Sequence, residues 1–159
     1  MYLKNSDGDE ERPLRIGDQM ITVLLVDDNS PIRKSLRYLL ATADDMKVAA
    51  TATNGVVAVE KARSLRPDVA VIDVSMPIMD GLEATEQIRE CCRLTRVIMF
   101  SIYDHSEYIQ RAIEVGAKGY VLKDSASKEL LEAIRAVPQG SYYFSKNIAE
   151  IAEKYLPQK

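Results

Sequence analysis

Carboxylates, an ammonium and a hydroxyl stand where short apolar runs end. Asp27 and Asp28 follow ITVLLV, Asp73 follows VAVI, Ser101 closes TRVIMF, and Lys123 follows GYVL. If these runs are neighbouring strands of one sheet, spaced by about 4.8 Å, the carboxylates share a small volume and repel. A hard divalent cation with oxygen ligands relieves that crowding, and magnesium in particular keeps waters that a phosphate can replace. Lys123 supplies a mobile point charge from the far side. A cation, this ammonium and the Ser101 hydroxyl around Asp73 would stabilise the equatorial oxygens of a phosphoryl group in transfer. A carboxylate that attacks phosphorus gives an acyl phosphate, so the sequence points to phosphorylation on Asp73. Each residue alone has an ordinary reading as turn, cap or solvated side chain. Their joint placement at successive strand ends favours the site.

Those strand ends require a particular scaffold. ITVLLV reads as a strand buried on both faces. Ser30 as N-cap and Pro31 at the first helical position then open a helix with Ile32, Leu36, Leu39 and Leu40 on one face. The step recurs as KVAATAT with VVAVEKARSL, entered at Asn54 and Gly55, and as DVAVID, after the Pro67 break, with GLEATEQIRECC. TRVIMFS with SEYIQRAIEVGA and GYVLK with SKELLEAIRAV complete the series. Such alternation predicts an α/β fold, a doubly wound five-stranded parallel sheet with helices on both faces and right-handed crossovers. Ligands of these sheets bind beyond the carboxyl ends of the strands, where the polar residues fall. SKNIAEIAEKYL, with Ile148, Ile151, Ala152 and Tyr155 at helical spacing, is expected to form an extra C-terminal helix or to lead into a further domain.

Composition narrows the function. A chain of 159 residues with 47% apolar and 28% charged content is the size and make-up of one globular domain, which excludes a disordered or fibrous polymer. A net charge of -3 has the wrong sign for a dedicated nucleic-acid surface. The single histidine, His105, cannot build a two-histidine metal site, and no Gly-x-Ser-x-Gly elbow is present. Cys91 and Cys92 are adjacent, lack zinc-finger spacing and would be strained if bridged, so a reducing compartment is expected. No apolar run has the length of a membrane span and the start, MYLKNSDGDEERP, is polar, so the expected location is cytoplasmic with no membrane partner. Residues 1–19 are expected to form a flexible extension.

The acidic pair in LLVDDNSPIRKSL, the segment VIDVSMPIMDGLEA and the closing GAKGYVLKDSA come in an order and spacing that resembles the receiver domain of bacterial two-component response regulators, across roughly Met20 to Phe144. The resemblance implies a flavodoxin-like sheet in order 2-1-3-4-5. It implies Asp73 as phosphoacceptor for a sensor histidine kinase, and Mg2+ held by Asp27, Asp28, Asp73 and the main-chain carbonyl of Ser75. Lys123 would contact the phosphoryl group, with Ser101 as switch hydroxyl and Tyr120 as switch aromatic. Spacing alone would leave Tyr120 a core residue. A phosphoryl on Asp73 would draw the Ser101 hydroxyl inward, letting the Tyr120 ring swing in and reshaping the face of the fourth helix, fifth strand and fifth helix. Ser75 and Tyr103 would tune removal of the phosphoryl group by water. The implied assembly is a phosphorylation-linked homodimer.

Some features depart from that pattern or lie outside it. Asp124 stands where many receivers carry proline, so a cis peptide at this joint loses its usual motive. ELLEAIRAVPQGSYYFS resembles the NarL/FixJ branch, whose members usually continue into a helix-turn-helix domain. Residues 145–159 are too few for a three-helix DNA-binding unit, so the expected organisation is a receiver over 20–140 and a helix or linker over 141–159. A fragment of a transcription factor is preferred to a stand-alone receiver, with DNA reached only through an output domain absent from this chain. The chain would catalyse only its own phosphorylation and dephosphorylation, and so is not expected to be an enzyme. An aspartyl phosphatase is disfavoured because Ser75 stands where its second aspartate would be. A flavin carrier is disfavoured because DDNSP puts acid where the phosphate would sit and there is no tryptophan. A degenerate receiver that only binds partners is disfavoured because every site position is filled. His105 is expected at the start of the fourth helix, and Cys91 and Cys92 as packing at the end of the third. Tyr142, Tyr143 and Phe144 are expected to pack under the last helix or to form a dimer contact.

Overall fold

Apolar runs flanked by helices assemble one sheet whose strands all leave towards the same rim. The computed structural model describes residues 2–4, 10–13, 20–125 and 127–158. Its main sheet contains β1 (Ile21–Val26), β2 (Met46–Ala52), β3 (Val69–Ile72), β4 (Arg96–Ser101), β5 (Gly119–Leu122) and β6 (Tyr143–Phe144). The hydrogen-bonded order is 2-1-3-4-5-6 and every pair is parallel. The registers Val26↔Ile72 and Ser101↔Leu122 align the strand ends, so residues 27, 73 and 123 emerge side by side. β3 and β5 are buried at every position, as strands covered on both faces must be.

The helices are α1 (Ser30–Ala41), α2 (Gly55–Leu65), α3 (Gly81–Cys91), α4 (Ser106–Glu114), α5 (Ser127–Ala136) and α6 (Ala149–Glu153). Alternate strand residues point to opposite faces and sort the core into two layers. Leu24, Val26, Ala70, Ile72, Met99 and Tyr120 pack with α2, α3 and α4, while Val23, Leu25, Val71, Ile98 and Val121 pack with α1 and α5. The sheet is therefore doubly wound as expected.

Several local features differ from the sequence reading. The sheet gains a sixth strand, because Tyr143 and Phe144 pair with Gly119 and Tyr120 along the open edge of β5. The last segment is a 3-10 turn, Lys146–Ile148, running into the short α6, with Ile148 and Ala152 buried in the α2–α4 layer. The N-cap of α1 is Asn29 and not Ser30. The Asn29 amide donates to Asp27 Oδ1 at 2.9 Å, which fixes its side-chain oxygen to accept the Ile32 amide at 3.2 Å. Asn54 caps α2 as expected. His105 occupies the N-cap position of α4 without capping it, and its ring Nδ1 lies 3.0 Å from Asp104 Oδ1. Cys91 ends α3, Cys92 is its C-cap, and both are free thiols. Among the described residues there is no cis peptide bond. Of the expected extension, Tyr2–Lys4 pairs antiparallel with Glu10–Pro13, and residues 1, 5–9 and 14–19 lie outside the described residues.

Candidate functional site

β1 and β3 are adjacent, so the residues that follow them meet at the carboxyl rim. Asp27, Asp28 and Asp73 each present a carboxylate oxygen within 4.8 Å of the others, Asp27 and Asp73 buried and Asp28 exposed. The Asp28 carboxylate makes no hydrogen bond or ion pair with the described residues. Lys123 reaches in from the end of β5, its Nζ 2.8 Å from Asp27 Oδ2 and 3.2 Å from Asp73 Oδ2. Its side chain is only 14% exposed, so this ammonium is a built part of the rim and not a solvated surface charge. Burial pushes the Asp73 carboxyl above the ordinary aspartate value, and the Asp27 charge adds to that, while Lys123 and the Ser75 backbone amide pull the other way. Burial disfavours the Lys123 charge, but the Asp27 hydrogen bond and the Asp73 charge outweigh it, and the ammonium is held above the ordinary lysine value. Three clustered carboxylates against one ammonium leave a surplus of negative oxygen, and an all-oxygen donor set with one exposed member fits a hard divalent cation.

The neighbouring strand ends carry the other expected residues. Ser101 is buried, and its Oγ accepts the Tyr103 amide at 3.0 Å. Tyr120 is completely buried with its hydroxyl donating to the Tyr103 carbonyl at 2.7 Å. Burial pushes the Tyr120 phenol up to about 12, so it remains a donor at any physiological pH. Ser101 and Tyr120 thus hold the same residue from two sides, and the Tyr103 ring stacks on Tyr108 of α4 at 4.5 Å between centroids. The resemblance implied a ring that moves in, and in this structure the Tyr120 ring is already fully buried. The face expected to signal is partly covered as well, since β6 lies along β5 and α6 packs against α4.

Other supports escaped the sequence reading. The Arg33 guanidinium donates to the Asp27 carbonyl at 2.7 Å and ties α1 to the rim. Gly81 opens α3 so close to the strand end that a side-chain carbon there would collide with the Asp73 carbonyl, and its amide donates to the Val74 carbonyl at 2.8 Å. Gly55 approaches Met79 in the same way, so two helix starts pin the loop that follows Asp73. A glycine at the first position of a helix beside a strand end is the signal that could have found both.

The fold and this rim define an α/β domain with an acidic, lysine-braced cluster at the carboxyl ends of its strands. Residues 23–135 match the family of response regulator receiver domains, and the chain belongs to that family. It is 35% identical over 130 residues to the nitrate/nitrite response regulator protein NarL of Escherichia coli K12, covering 82% of this chain and 60% of that protein. It is 37% identical over 132 residues to the transcriptional regulatory protein DesR of Bacillus subtilis, covering 82% and 65%. Among solved structures, a LuxR-family two-component response regulator from Aurantimonas superposes with a TM-score of 0.81 at 32% identity, covering 85% of this chain and 96% of that one. These relatives place the chain with the NarL/FixJ, or LuxR-type, regulators of two-component systems. It spans less than two thirds of the length of these two curated relatives. Among the described residues no helix is long and apolar enough to cross a membrane.

Proposed function

We propose that this chain is a phosphorylation-activated switch of a two-component phosphorelay, in which Asp73 accepts a phosphoryl group from the phosphohistidine of a sensor kinase. One observation carries this reading: an ammonium only 14% exposed bridges Asp27 and Asp73, at 2.8 and 3.2 Å, beside a third carboxylate. The residues that would hold Mg2+ are Asp27, Asp28, Asp73 and the main-chain carbonyl of Ser75. When bound, the ion supplies positive charge to the oxygens of the transferring group. An Asp73 oxygen attacks phosphorus in line, its new P–O bond forming as the P–N bond to the donor imidazole breaks and the electron pair returns to the ring. Lys123, with three donors, keeps one on Asp27 and turns another to the incoming phosphoryl oxygens. Ser101 already accepts the Tyr103 amide and has its own proton to give to the phosphoryl group. That new bond pulls the Ser101–Tyr103 turn, and the Tyr120 hydroxyl on the Tyr103 carbonyl follows it.

The chain would thus catalyse only its own modification. The output is a changed face of α4, β5 and α5, read through a phosphorylation-linked homodimer, and in a longer protein through a DNA-binding domain that controls transcription. The receiver unit would run over 20–140, with 141–159 leading towards that domain, and the protein would work in the cytoplasm. The test is incubation with magnesium and acetyl phosphate, followed by intact mass. A single alkali-labile adduct that disappears in Asp73→Asn is expected. No adduct, or a stoichiometric adduct that survives the substitution, overturns the reading, and multiple turnover of phosphomonoesters would make the chain a phosphatase.

A further inference from the structure

Ser145 stands just after β6 and is fully buried, yet its hydroxyl is spent on the turn that carries the site lysine and not on its own strand. Ser145 Oγ accepts the Leu122 amide at 3.0 Å and lies 3.2 Å from Ser125 Oγ. Leu122 and Ser125 bracket Lys123 and Asp124, so one hydroxyl holds both ends of the turn from which the ammonium reaches Asp27 and Asp73. Within the turn, the Ser125 amide donates to the Leu122 carbonyl at 3.0 Å and the Lys123 amide to the Ser101 carbonyl at 2.9 Å. Among the described residues no other hydrogen bond from the C-terminal segment reaches 122–125.

The segment that carries Ser145 has its own anchors. The Tyr143 and Ser145 amides donate to the Lys118 and Tyr120 carbonyls, each at 3.0 Å. The Tyr143 hydroxyl donates to Glu132 Oε2 at 2.8 Å and the Lys146 amide to Glu129 Oε1 at 3.3 Å, both acceptors on α5. Glu129 Oε2 is buried without a partner among the described residues. Burial would push this carboxyl up, but the Ser145 and Ser125 hydroxyls with Lys146 hold it below its ordinary value. A polar network, buried at Ser145, therefore joins α5, the lysine turn and the C-terminal segment, and such networks fix one geometry.

We propose that Ser145 is a positioning residue for Lys123, and that through it the docking of the C-terminal segment and the phosphorylation of Asp73 are coupled. This rests on Asp73 being the acceptor. Lysine is a long side chain on four rotatable bonds, and only a fixed turn keeps its Nζ in the geometry that the transfer needs. The coupling is mutual: a docked segment that favours the acyl phosphate is itself held more tightly once the acyl phosphate has formed. The first structure to sense the switch is then the chain's own segment 143–155, lying over the edge of β5.

The experiment compares the full chain with its Ser145→Ala variant, using magnesium and acetyl phosphate, with the urea midpoint recorded for each. The rate constant at saturating donor should fall about three- to tenfold, the equivalent of one hydrogen bond, with the half-saturating donor concentration unchanged. Amide exchange at 122–125 should quicken as well as at 143–148. A rate constant within about twofold of the parent in a folded variant overturns the proposal. Should Ser145→Ala fail to fold, the half-buried Ser125→Ala makes the same test, with a smaller fall in rate expected and an unchanged rate overturning it. An unmodified parent chain would remove the acceptor reading and this proposal together. A parent modified on Asp73, with a variant that matches it, removes this proposal alone.

Discussion

β3 is bounded by two aspartates of nearly equal burial, Asp68 at 7% exposed and Asp73 at 8%, and they have different described neighbours. Asp68, at the amino end, accepts the Thr22 amide at 2.7 Å and the Thr22 hydroxyl at 3.0 Å through one oxygen. Its own amide answers by donating to Thr22 Oγ1 at 3.0 Å, so these bonds tie β3 to β1. Asp73, at the carboxyl end, faces two more carboxylates and one ammonium among the described residues. Burial of a carboxylate does not make a site. A carboxylate that ties two strands together is a fastener, whereas one left among like charges keeps a demand for positive charge that a ligand can meet.

The two ends should part most sharply in function. Asp73→Asn is expected to abolish the adduct, whereas Asp68→Ala should leave its rate within about twofold. Equal loss of adduct in both, by intact mass, would break the comparison. Next in size is Lys123→Met, which leaves Asp27 and Asp73 buried without their cation and should cost about 3–5 kcal/mol of unfolding free energy at neutral pH. Added magnesium should restore part of that loss. Because the folded Lys123 value is raised, its contribution is fully present below the pKa of a free lysine and is lost only as pH rises through the folded value. The deficit of the variant should therefore persist at neutral and mildly alkaline pH and narrow only in strong alkali, as urea midpoints across pH would record. Asp68→Ala comes third, at about 1–3 kcal/mol, because it strands the Thr22 donors. A midpoint unchanged by this substitution would mean that Asp68 fastens nothing.

The carboxyl rim was legible because its residues terminate apolar runs. Asp27, Asp73, Ser101 and Lys123 each follow a stretch with strand composition, and the sheet then has no choice but to bring them together. The amino rim was not legible, since Asp68 after Pro67 looks like any turn residue until β1 brings Thr22 to it. β6 was missed for a similar reason: two residues carry no periodicity, and only the open edge of β5 makes Tyr143 and Phe144 a strand. Ser145 could not be read at all, because its role lies in a bond to Leu122 across 23 positions of chain. The cap of α1 was misplaced by one residue, as Asn29 and Ser30 are both competent and the choice falls to the Asp27 carboxylate, which holds the Asn29 amide.

The smallest expected effect comes from an ion pair that resembles the Lys123 pair in chemistry but not in setting. Arg135 of α5 grips Asp45, ahead of β2, with Nε and Nη2 at 2.7 and 3.1 Å. Both side chains are close to half exposed, 44% and 45%, against 14% and 2% for Lys123 and Asp27. The Arg135 hydrogen bonds hold the Asp45 carboxyl below the usual aspartate value. Its contribution is therefore present above the pKa of a free aspartate and is lost as pH falls through the lower, folded value. Solvent screening keeps it small, so Asp45→Asn should cost less than about 1 kcal/mol at neutral pH and low salt. High salt and acid should each erase the difference from the parent chain in urea unfolding, whereas the Lys123→Met deficit should survive the same salt. An Asp45→Asn loss as large as that of Lys123→Met would mean that enclosure at the carboxyl rim is not what gives its charges their strength.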